Sequence, residues 1–97
     1  MRDRVLLGAP RPNPFHGRTT IACQVSPCGR PDQVSLGIYD PAGRLVRTLQ
    51  TAATPGAGVQ LRWDGTDDAG CALPGGIYLL RLMGNRKTLT ERVVKMR

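Results

Sequence analysis

Glycine and proline punctuate this chain so closely that a long helix has little uninterrupted room: twelve Gly and eight Pro fall among 97 residues. A proline inside a helix removes a hydrogen bond and clashes with the preceding turn, and a glycine there costs about 1 kcal/mol relative to alanine. Between these breakers the apolar residues alternate, which is the period of a pleated strand. Over residues 19–25, Ile21, Cys23 and Val25 share one face. Residues 33–39 place Val34, Leu36 and Ile38 inward, and residues 58–63 bring Val59, Leu61 and Trp63 together. Residues 77–83 are apolar enough to predict a central strand buried on much of both faces. Residues 88–96 read as the last strand.

The connections carry turn chemistry. In Asp40-Pro41-Ala42-Gly43 the Asp caps, the Pro presets φ and the Gly supplies a left-handed residue, so residues 33–49 read as one hairpin. Loops are expected over residues 26–32, 51–58, 64–70 and 74–76, with a short turn at 84–85. Residues 8–18 hold three prolines and no periodicity, as an extended arm would. Short strands at this spacing predict an all-β fold, an antiparallel immunoglobulin-like β-sandwich of about seven strands. Residues 1–18 are then a proline-rich arm with a candidate first strand at residues 4–7, and residues 19–97 are the sandwich. The antibody-type Cys…Trp…Cys spacing is absent, because Cys28 and Cys71 fall in predicted loops and Trp63 closes a strand.

Composition narrows the function classes. The length suits one core, since single cores usually occupy about 100–150 residues. At 40% apolar, 22% charged and a mean hydropathy of −0.24, the chain is one that folds. No run of 18 apolar residues exists, so no membrane span is expected. The net charge of +7 and pI of about 10.4 invite a nucleic-acid reading. The cations argue against it: twelve of fourteen are Arg, scattered singly, and Arg86-Lys87 is the one adjacent pair. Aromatics are 4%, too sparse for a base-stacking platform. The charge reads as solvated surface, with an anionic partner as the alternative. Three cysteines cannot all pair within the chain, and Cys23, Cys28 and Cys71 lack metal-ligand spacing. Bridges from Cys71 to Cys23 or to Cys28 stay open. The apolar run Val5-Leu6-Leu7 is too short for a signal peptide, so export would need a signal on a longer precursor.

Taken together, Pro12-Asn13-Pro14-Phe15, Thr19-Thr20-Ile21 and the hairpin from Val34 to Leu49 form a recognisable series. It continues through Trp63-Asp64-Gly65-Thr66-Asp67-Asp68-Ala69-Gly70, Gly76-Ile77-Tyr78, Arg81-Leu82 and Lys95-Met96-Arg97. The series resembles the Ig-like domain named after the flagellar hook-capping protein, over about residues 5–97. Similar domains end many secreted bacterial enzymes and surface proteins, including those with a type IX secretion sorting domain. The resemblance therefore implies an extracellular or cell-surface accessory module whose partners are other domains of the same precursor or secretion and assembly machinery. A flagellar hook-assembly scaffold and an Arg-rich anion-binding module are the alternatives. His16-Gly17 and the three cysteines depart from the family pattern.

The chemistry available is thin. His16 is the single histidine and lies in the arm, far in sequence from any partner for nucleophilic catalysis except Cys23 or Cys28. Asp64, Asp67 and Asp68 are weak metal candidates; their spacing is not that of an EF-hand, and Asx-type turns account for them. No catalytic or cofactor-binding residue is expected, and no cofactor. The expected structural positions are Pro14, Phe15, Tyr39, Asp40, Gly43, Trp63, Asp64, Gly65, Gly76 and Tyr78.

Overall fold

The computed structural model describes residues 5–25, 32–53, 58–84 and 87–96. Of the connections expected at residues 26–32, 51–58 and 84–85, residues 26–31, 54–57 and 85 lie outside the described residues, and the rest belong to strands. Seven strands follow in chain order: β1 (Val5–Leu7), β2 (Thr19–Val25), β3 (Asp32–Tyr39), β4 (Leu45–Ala53), β5 (Gly58–Trp63), β6 (Gly76–Gly84) and β7 (Lys87–Lys95). A three-stranded sheet has the order β1-β2-β5, and a four-stranded sheet the order β4-β3-β6-β7. All strand pairs are antiparallel. The fold is the antiparallel Ig-like sandwich that strand rhythm predicts.

The period-2 faces meet between the sheets. Ile21 and Cys23 of β2 and Leu61 and Trp63 of β5 come from one side; Leu36, Ile38, Tyr78, Leu80, Leu82 and Val93 come from the other, all buried. β6 differs from expectation. It is central, between β3 and β7, but only one face is buried: Ile77 is 49% exposed and Arg81 is exposed. β4 also runs longer than its propensities indicate. Residues 51–53 continue the ladder, with Thr51 opposite Val34 and Ala53 opposite Asp32. Backbone pairing extends the strand through small residues that read as loop in isolation.

The arm belongs to both sheets. Gly8 N–H donates to Ala22 O at 2.8 Å, and Arg11 and Thr20 exchange hydrogen bonds of 2.9 and 2.8 Å. The chain then crosses to β7, where Phe15 N–H donates to Val94 O and Met96 N–H donates to Phe15 O, at 2.9 and 2.7 Å. Between these anchors the Asn13 side chain imitates a peptide unit. Its Oδ1 accepts from Val94 N–H at 2.8 Å and its Nδ2 donates to Arg92 O at 3.4 Å. The outer edge of β7 is thereby covered, which blunts its capacity to template another strand.

Candidate functional site

The Asp40 turn closes the β3–β4 hairpin. Asp40 Oδ1 accepts from the backbone N–H of Ala42 and Arg44 at 3.0 and 2.8 Å, and Oδ2 accepts from Arg44 Nε at 3.2 Å. The backbone hydrogen bond from Arg44 leads the interactions that hold the Asp40 carboxyl below its ordinary value. Gly43 has φ +88°, where an L side chain is strained. Pro41 of this turn lies beside Gly76, at the start of β6.

Residues 64–74 fold over the near end of β4, and their three aspartates point to different tasks. Asp64 Oδ1 accepts from Thr66 N–H at 3.2 Å and from Thr66 Oγ1 at 2.6 Å; the hydroxyl bond is the leading cause of its lowered pKa. Asp67 Oδ1 accepts from Ala69 N–H and Cys71 N–H at 3.0 and 2.9 Å. Asp68 N–H donates to Val46 O at 3.0 Å, and its Oδ1 accepts from Thr48 N–H at 3.1 Å. Arg47 reaches in from β4, donating to Thr66 Oγ1 and Asp67 O at 3.1 and 2.9 Å, with its Nε 3.8 Å from Asp68 Oδ1. Among the described residues no group of three His, Cys, Asp or Glu side chains is arranged to hold a metal ion. The Asp64 and Asp67 carboxylates are Asx-type turn acceptors, whereas that of Asp68 ties the loop across to β4.

An aromatic column runs through the core beneath this loop. Phe15 and Trp63 have ring centroids 5.4 Å apart, and Trp63 meets Tyr78 edge-on at 5.3 Å. Both polar tips are satisfied: Trp63 Nε1 donates to Thr66 O at 2.9 Å, and Tyr78 OH donates to Pro74 O at 2.6 Å. The Tyr78 bond to backbone a few residues upstream has the form of an Ig tyrosine corner. Gly65, at φ +80°, lets Lys95 and the Phe15 ring close over the column; a Cβ there would strike the Lys95 side chain.

The outer face of the four-stranded sheet is unlike the loop. Gly37 stands opposite Arg81 in the ladder, and the Tyr39 ring folds back over the bare glycine. The Arg81 guanidinium lies 5.0 Å from the Tyr39 ring centroid, a cation–π contact. Leu45 lies beside this stack, against Gly37, and Ile77 stands farther along the same face of β6; each is 49% exposed. Leu79, opposite Tyr39 in the ladder, is half-buried.

The family model of the FlgD Ig-like domain matches residues 11–87. The chain belongs to this family. Its fold is also similar to that of dimeric latent PorU from Porphyromonas gingivalis, at a TM-score of 0.80 and 23% identity. PorZ, a bacterial surface component of the type-IX secretion system of the same organism, is similar at a TM-score of 0.59 and 20% identity. The alignments cover 98% and 96% of this chain but only 9% and 11% of those proteins. No curated protein matches the chain with significance.

In this FlgD Ig-like domain the residues singled out by sequence fall into separate groups. Phe15, Trp63, Gly65 and Tyr78 make the column, Asp40 and Gly43 the hairpin turn, and Asp64 the loop. Pro14 is exposed on the arm, and Gly76 opens β6. Tyr39 instead faces outward under Arg81. Cys23 is buried and Cys71 exposed, and the two are not bridged to each other. Cys28 lies outside the described residues. The outer-face patch escaped sequence reading because exposed Ile77 and Leu45 look, in sequence, like core. The one usable signal was Gly37, a glycine inside a strand pattern.

Proposed function

We propose that this domain is a non-catalytic accessory module of a larger exported bacterial protein, working at the cell surface or outside the cell. Its contacts are made through the outer face of the four-stranded sheet, to another domain of the same precursor or to secretion and assembly machinery. The observation that carries this reading is that Leu45 and Ile77, each 49% exposed, share the outer face that holds the Tyr39–Arg81 stack. An aromatic and an Arg sharing a sheet face with exposed aliphatics is the composition of a contact surface. Supporting it, the chain spans about a tenth of the length of its structural neighbours, as a module would. The described reactive groups also favour a passive role. The Asp64, Asp67 and Asp68 carboxylates are engaged with backbone and hydroxyl groups, and burial pushes the Cys23 thiol up to about 11, well away from thiolate at neutral pH.

The test is a photo-crosslinking residue at position 77, introduced into the full-length gene product in its own host. Crosslinks to another domain of the same polypeptide, or to an export component, are expected, together with impaired export or attachment for Ile77→Lys. Crosslinks to further copies of the same domain would favour the hook-assembly scaffold. No crosslink and unchanged export of Ile77→Lys would overturn the assignment.

A further inference from the structure

The opposite face of the sandwich, on the three-stranded sheet, carries a polar row of its own. Arg11 is bridged to Thr20, and Thr20 stands opposite Arg62 on β5. Laterally paired residues point to the same side of a sheet, and the neighbouring Thr19, Ile21, Leu61 and Trp63 point inward. Arg11, Thr20 and Arg62 therefore stand abreast on the outer face. Arg11 and Thr20 exchange both backbone hydrogen bonds, so Thr20 and Arg62 form the closer, non-hydrogen-bonded kind of pair. The two Arg Cα atoms then lie about 10 Å apart, the sum of about 5.5 and 4.5 Å for the two pair types. Each side chain is long enough to reach the midline above the Thr20 hydroxyl.

Beside this row the surface dips. Gly8, Ala9 and Ala22 form a low floor between Arg11 and Gln60. Gly8 is pressed so close to the Ala22 carbonyl that a Cβ would lie 3.2 Å from its oxygen. Among the described residues neither Arg11 nor Arg62 has an ion-pair partner, and the Thr20 hydroxyl makes no hydrogen bond. Asp64, the acid nearest to Arg62 in sequence, turns its carboxylate to Thr66. Two unpaired guanidiniums flanking a hydroxyl, with a small-residue floor on the Arg11 side, are complementary to a tetrahedral oxyanion, which planar Arg forks bind bidentately.

We infer that the Arg11–Thr20–Arg62 row, with Gln60 at its rim, binds a sulfate or phosphate ester group. The two guanidiniums hold the anionic oxygens, Thr20 donates from beneath, and Gln60 is placed to hydrogen-bond the carrier. The row spans three chain segments, which suits a single anionic group better than the long phosphate track of a nucleic acid. This inference does not depend on the sheet face assigned above.

Binding is read by titrating the 97-residue protein with heparin, inorganic sulfate, inorganic phosphate and duplex DNA over a salt series. Wild type should bind heparin, and R11A/R62A should weaken it by at least about tenfold, since two charge-assisted contacts are removed. The charge-matched R44A/R92A, away from the row, should change it by less than about twofold. All four positions are exposed, so melting curves should match and separate binding from folding. Displacement of heparin by millimolar sulfate or phosphate identifies the free ion as a sufficient ligand; resistance to it identifies the polymer-borne ester. Either supports the site. Equal weakening in both double variants, no heparin binding, or DNA binding as tight as heparin would overturn it, because each reduces the row to ordinary surface charge.

Discussion

Replacing Trp63 by alanine should bring the domain close to global unfolding. The indole is fully buried, packed between Phe15 and Tyr78 at centroid distances of 5.4 and 5.3 Å. Core Trp→Ala changes cost about 3–5 kcal/mol, combining lost transfer energy with the cavity left behind. Here the Thr66 carbonyl also loses its donor, which adds the desolvation cost of an orphaned acceptor. The upper end, about 5 kcal/mol, is therefore expected. A domain of this size has only about 5–15 kcal/mol in total, at roughly 0.05–0.15 kcal/mol per residue. Trp63→Phe separates the two contributions. It keeps a ring in the column and loses the N–H and a few ring atoms, for about 2–3 kcal/mol at about 1 kcal/mol for the hydrogen bond and 0.8 kcal/mol per carbon. Urea unfolding followed by far-UV circular dichroism reads both variants without needing the indole signal. A loss below about 1 kcal/mol for Trp63→Ala would refute the column as the centre of the core.

Four further outcomes are expected. Gly43→Ala and Gly65→Ala should each cost about 1–2 kcal/mol, since the two residues adopt φ +88° and +80° and the Lys95 side chain that a Cβ at Gly65 would meet can swing aside; thermal melts unchanged from wild type would contradict the left-handed conformations. Asp64 has a lowered folded-state pKa, so its contribution to stability is fully present above the ordinary value of 3.8 and is lost as pH falls below it; Asp64→Asn should flatten the acid limb of a stability-versus-pH curve, and an unchanged limb would count against the Thr66 bonds. With a thiol reagent, Cys71 should react in the native protein at once and Cys23 only on unfolding; simultaneous reaction of both would mean that the core opens readily. Asn13→Ala removes two hydrogen bonds to β7 and should cost about 1–2 kcal/mol; analytical ultracentrifugation should show increased self-association through the uncovered edge, and a monomer of unchanged stability would argue against the edge-cap role.

What the sequence made legible was whatever depends on neighbours in the chain. The period-2 faces at Ile21 and Cys23, Leu36 and Ile38, and Leu61 and Trp63 are local alternation, and all are buried as read. The Asp40 turn is equally local, its acceptors and donors lying within four residues. Features set by register across the sheets were not legible. Nothing near Ile77 distinguishes an outward apolar residue from a core one, and nothing near Gly37 reveals Arg81 across the ladder. Thr51 to Ala53 read as loop because the two alanines have weak strand preference and Pro55 follows, while the β3 ladder that recruits them starts nearly twenty residues earlier. The Arg11–Thr20–Arg62 row is scattered over three distant segments, and only strand pairing assembles it.

The docking of the arm on β7 has a mechanical consequence. Phe15 and Lys95 pair in parallel, so residues 13–15 and the end of β7 run side by side in the same direction. A pull that draws the chain before Asn13 away from the chain after Met96 loads these two segments in opposite directions along their length. The hydrogen bonds joining Asn13 and Phe15 to Arg92, Val94 and Met96 are then sheared together and share the force. An antiparallel hairpin pulled from its open end would instead lose its bonds one after another. A module carried inside a longer polypeptide under tension is thus held at its seam by bonds that must fail together, and the Asn13 amide is one of the links that sets the breaking load.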